Sequence, residues 1–128
     1  MKKLFTLLII CLLFSGCKKE VYEFSKLTGN YNFTIHETIY GPPPNLATTF
    51  YYSGKVSTGK SNDHIILSFL ENFSVEPKIY EDGYLELHIG YESGLSGEFE
   101  STSLVTFYYS SGGLGSGVNY NVTGIKTK

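Results

Sequence analysis

From Tyr31 to Lys126 the chain counts in twos, and no other feature constrains its fold as tightly. Between Tyr31 and Tyr40 the odd positions are Tyr31, Phe33, Ile35, Glu37 and Ile39, while the even ones open with Asn32, Thr34, His36 and Thr38. Successive side chains of a strand point to opposite faces, so this alternation predicts a sheet with one face on a core and one in water. An amphipathic helix would repeat about every 3.6 residues instead. The rhythm returns at Thr48–Val56, Ile65–Phe69, Phe73–Ile79, Leu85–Ile89, Gly97–Glu100, Leu104–Tyr109 and Val118–Lys126, which makes eight strands and no convincing helix.

What separates the strands is turn chemistry. Gly41-Pro42-Pro43-Pro44-Asn45 stops pairing because proline has no N–H to donate, and Gly59 to Asp63 is a polar turn cluster. Asp82-Gly83 is a hairpin signal, since tight primed turns need a positive φ. Pro77, inside a strand, marks an edge or a bulge. Connections this short join antiparallel neighbours, so the expected fold is all-β, an eight-stranded up-and-down meander closed into a small barrel, with a β-sandwich as the alternative. The apolar parity predicts a core of Phe33, Ile35, Phe50, Tyr52, Ile65, Leu67, Phe69, Leu85, Leu87, Ile89, Phe99, Val105, Phe107, Val118, Tyr120 and Val122. With 11 Tyr and 9 Phe in 128 residues, aromatic rings must fill much of that space.

The amino terminus reads as an address. Lys2 and Lys3 precede an apolar run from Leu4 to Phe14 that is too short to cross a bilayer, which takes about 20 residues. Phe14-Ser15-Gly16-Cys17 follows, and it resembles the lipobox of bacterial lipoproteins, with Phe14 where an aliphatic residue is usual. The resemblance implies a leader over residues 1–16, cleavage before Cys17, a diacylglycerol on its thiol and acylation of the new amino terminus. More than one buried acyl chain gives stable anchoring. It also implies the bacterial cell envelope, with the outer membrane as the expected surface. The other cysteine, Cys11, lies in the leader, so a Cys11–Cys17 disulfide is not expected. Residues 17–26 are then the lipidated cysteine and a short tether, and residues 27–128 a single domain.

Leu27-Thr28-Gly29-Asn30-Tyr31 is similar to the Gly-x-aromatic opening of calycins, the superfamily of lipocalins, fatty-acid-binding proteins and avidins. The likeness implies an up-and-down barrel that binds a small apolar molecule. Calycins usually have Trp where Tyr31 stands, and a late Arg that packs over it; this chain has neither Trp nor Arg. Lys126, on the apolar parity of the last strand, is the residue expected over Tyr31 if barrel closure makes the first and last strands neighbours.

Chemistry is sparse. With a formal charge of -2 and no arginine, the chain lacks the basic patch and guanidinium forks of a nucleic-acid binder. His36, His64 and His88 have no metal-ligand spacing, and no Gly-x-Ser-x-Gly elbow opens a helix, so neither a metal, a cofactor nor catalysis is expected. Glu98 and Glu100 share an outward face, and Tyr51, Tyr80 and Tyr108 are placed opposite the core. Two non-enzymatic readings follow. A void in the barrel would favour a small apolar ligand; a filled interior would favour an accessory or adhesion lipoprotein that contacts a protein or glycan through its outer face or loops. Cys17→Ala should abolish labelling by a fatty-acid probe and release the protein from the membrane fraction, both measurable by fractionation and gel fluorescence.

Overall fold

The computed structural model describes residues 22–42 and 45–128. It is all-β apart from one helical turn, α1 (Phe24–Leu27). The strands are β1 (Gly29–Tyr40), β2 (Leu46–Thr58), β3 (Ile65–Leu70), β4 (Phe73–Val75), β5 (Lys78–Ile79), β6 (Tyr84–Ile89), β7 (Ser93–Ser101), β8 (Leu104–Gly113) and β9 (Ser116–Lys126). They form one antiparallel sheet in the order β4-β3-β2-β1-β9-β8-β7-β6-β5, a meander whose first and last strands pair with each other.

The sheet curls until its two ends approach. β4 and β5, the outermost strands, are consecutive in the chain and separated only by Glu76 and Pro77. The residues leading into β3 pair with β5's side of this break: Ile65 N donates to Pro77 O (3.1 Å), Ile79 N donates to Asp63 O (2.7 Å), and His64 bridges to Lys78. The stretch expected as one strand, Phe73–Ile79, is therefore two strands, and the count is nine rather than eight. The break falls where Pro77 has no N–H to give.

A second departure lies before β1. Residues up to Lys26 read as a polar tether, yet Phe24–Leu27 forms a helical turn with Leu27 fully buried and Tyr22 and Phe24 packed on the core. Phe24 and Leu27, three apart, reach the same side of that single turn. So short a motif leaves no periodicity to read. Asp82-Gly83 behaves as the sequence requires: Gly83 has φ +85°, its N–H donates to Tyr80 O (2.9 Å), and the hairpin links β5 to β6.

On several strands the inward row is buried near α1 and opens toward the other end, whereas on β3 it stays buried throughout. On β1 Tyr31, Phe33 and Ile35 are buried; on β6 Leu85 is buried, Leu87 half-buried and Ile89 exposed. Ile89 was expected in the core, but it stands at 47% exposure because the row runs past the last packed layer. The barrel thus has a plugged end, with α1, the β5–β6 hairpin and the carboxyl terminus, and an open mouth.

Phe33 sets the middle layer. A Cβ on Gly124 would come within 2.5 Å of Phe33 Cε1 and 2.9 Å of Val105 Cγ1, and one on Gly54 within 2.9 Å of Phe33 Cε2. The ring fits because both neighbouring strands have a glycine beneath it. Gly124→Ala should cost about 1–3 kcal/mol, as overpacking does, and lower the melting temperature followed by circular dichroism. Gly113→Ala, where nothing lies within 4 Å of the added carbon, should stay within about 0.5 kcal/mol of the parent.

Candidate functional site

Cys17, the expected lipidation site, lies outside the described residues. The two other residues singled out by the sequence, Tyr31 and Lys126, are register partners on β1 and β9. The Lys126 stem runs across Gly29, where a Cβ would come within 2.8 Å of Cε, and Gly29 itself has φ +144°. Its ammonium donates to Lys26 O at 2.7 Å. It therefore ties α1 to β9 through a carbonyl of the plug. Among the described residues the cation stationed over a ring is Lys78, with Nζ 5.1 Å from the Tyr80 centroid.

Tyr31 is fully buried, and its hydroxyl donates to Leu27 O at 2.7 Å. That bond locks the plug to the first strand. Burial pushes the phenol up to about 12, because the phenolate would lose its hydration.

Above the plug the interior is a continuous run of rings. Tyr31 stacks on Phe33 at 5.9 Å, Phe33 meets Phe69 at 6.4 Å, and Phe69 meets Phe107 at 5.0 Å, Phe73 at 5.6 Å and Tyr120 at 6.0 Å. Tyr109 packs on Phe73 (5.5 Å) and stacks on Tyr120 (6.2 Å). Such rings hold one another edge to face or stacked, and little room is left along the axis.

At the mouth the inward rows continue into water. Ile39 is 45% exposed, its partner Leu46 56% and Ile89 47%, although all three occupy inward positions of their strands. Tyr91 and Leu114, in the β6–β7 and β8–β9 turns, are fully exposed at the same end. Among these apolar groups stands one carboxylate. Glu37 occupies an inward position of β1, opposite Tyr120 of β9. Burial and, second, the neighbouring Glu37 carboxylate push the Tyr120 phenol above its ordinary value. The sequence held the signal, a lone acid in an otherwise apolar row, but alternation alone gives no reason to single it out.

The outer wall is polar. An open groove of about 550 Å³ runs over β6, β7, β8, β9 and β1, with His36, Tyr84, Ser96, Glu98, Thr106 and Asn121 among its lining. Beside it Tyr80 donates to Glu86 Oε2 (2.9 Å), while His88 Nε2 lies 3.0 Å from Glu86 Oε1. The Tyr80 bond first, then His88, holds the Glu86 carboxyl below its usual range. No group of three or more His, Cys, Asp or Glu side chains placed to hold a metal occurs among the described residues.

The phenol of Tyr31 has a testable consequence. Its folded pKa lies above the ordinary value of 10.0, so its share of stability is complete below pH 10 and is lost as pH rises toward 12. Tyr31→Phe should cost about 0.5–1.5 kcal/mol at pH 7 through the lost bond to Leu27. The same variant should show a shallower loss of stability between pH 10 and 12 in urea titrations.

Against known proteins the chain stands by itself: no family model, no curated protein and no solved structure matches it.

Proposed function

We propose that this is a lipid-anchored, non-enzymatic accessory protein of the bacterial envelope that receives a protein partner at the mouth of its barrel. The observation that carries the reading is the contrast between a ring-filled axis and inward-row apolar positions, Ile39, Leu46 and Ile89, left exposed at one end. A small apolar ligand inside the barrel would have to displace Phe33, Phe69 or Phe107, whose rings already occupy each other's faces and edges. Large exposed apolar patches are uncommon on monomers and mark contact surfaces.

The anchor gives this surface a direction. Tyr22 N donates to Glu81 O at the plugged end, and it follows Cys17 by five positions, a reach of at most about 18 Å. A lipid on Cys17 thus holds the plugged end near the bilayer and turns the mouth away from it. The wall groove supports a second contact, a glycan, since Tyr84 there adjoins hydroxyl, amide and carboxylate side chains.

A photo-crosslinking residue at Leu114 or Tyr91, in cells, should form a discrete protein adduct. The same residue at Glu81, beside the plug, should form none. Adducts from Tyr84 alone would move the contact to the wall, and no adduct from either turn would remove the mouth from consideration.

A further inference from the structure

We infer that the partner presents a lysine or arginine flanked by aliphatic residues, and that the mouth holds this cation at Glu37, the register partner of Tyr120. This rests on the reading of the mouth as a protein-docking surface and adds the chemistry of what docks there.

The first support is how charge is distributed along the barrel. The described residues contain six lysines, Lys26, Lys55, Lys60, Lys78, Lys126 and Lys128. Every one belongs to the plugged half. Lys26 is in α1, Lys126 donates to its carbonyl and Lys128 follows two residues later. Lys55 pairs with Asn30 at the start of β1, Lys60 is in the β2–β3 turn, and Lys78 pairs with Glu86 and bridges to His64. At the mouth the charged groups are Glu37, Glu71 in the β3–β4 turn and Glu92 in the β6–β7 turn. An end with carboxylates and no lysine among exposed aliphatic groups, where the exposed His88 beside Ile89 is paired with Glu86, is complementary to a basic, aliphatic surface and repels an acidic one.

The second support is what surrounds Glu37. It stands opposite Tyr120 in the β1–β9 register, with acceptor capacity on its two oxygens. The Tyr120 ring stacks on Tyr109, which packs on Phe73. A carboxylate in this row attracts a cation by its charge, while Ile39, Leu46 and Ile89 offer apolar contact to the flanking residues. A carboxylate in an apolar cup strongly favours a cationic occupant over a neutral one of the same shape, because a neutral group would cover the charge without pairing it.

The test uses the full-length chain in detergent micelles and two probes, acetyl-Leu-Lys-Leu-amide and its uncharged counterpart with norleucine in place of lysine, followed by amide shifts in NMR. The lysine peptide should shift Glu37, Tyr109 and Tyr120 and bind about tenfold more tightly than the norleucine peptide. Glu37→Gln, which removes the charge, should erase that difference. Glu71→Gln, which removes a charge from the same end, should change binding less than about twofold. Equal binding of the two peptides at the mouth overturns the cation site and leaves the docking reading standing. Unchanged preference in Glu37→Gln, shifts confined to the wall around Glu86, or no shift at all overturns it as well. Failure of the crosslinking at Leu114 and Tyr91 would instead strike the docking reading itself.

Discussion

The Phe33 ring, lying over two glycines, is the contact on which the rest of the barrel depends. Gly54 and Gly124 belong to the strands on either side of β1, and any side chain on either would enter the ring's space. Small residues beneath a large one let three neighbouring strands bend around a single aromatic layer. The curl that results brings Phe69 of β3 and Phe107 of β8 within reach of each other across the axis, at 5.0 Å. A flat sheet could not bring strands so far apart in order into contact.

Filling the axis this way decides what kind of barrel it is. A small curled sheet of this kind has room for packed side chains or for one small ligand, and here the rings take the room. The two ends differ sharply. The plugged end is tied down by the Tyr31 hydroxyl and by Lys126 on the Lys26 carbonyl. Its opposite end carries inward rows that have run out of neighbours.

Alternation made the strands and most of the core legible, because period two survives any rearrangement of the turns. The β1–β9 register that pairs Tyr31 with Lys126 was implied by closure. Other features were not legible. α1 is a single turn, and one Phe–Leu pair cannot establish a period. The split between β4 and β5 follows from Pro77, whose presence announced an irregularity without saying which strand would end. Ile89 kept the parity of a core residue, yet parity fixes the face and not the height along the axis. The same limit hid Glu37, since its row was plain but its level was not. The destination of the Lys126 ammonium depended on α1, and therefore could not be read from β9.

Height along the axis is what turns a packing pattern into a surface. Fully burying an aliphatic side chain is worth about 1.5–3 kcal/mol, so leaving Ile39, Leu46 and Ile89 half in water forgoes stability that a polar rim would not need. Hydrophilic residues are tolerated there, as Thr48 opposite Glu37 demonstrates. Apolar groups kept at a rim where threonine fits are what the proposed docking would cover. A carboxylate in their midst would then discriminate, because its burial is costly against anything that does not bring a compensating charge. On that proposal the apolar rim would supply affinity and Glu37 discrimination, and both features follow from strands that extend past the rings that fill the barrel.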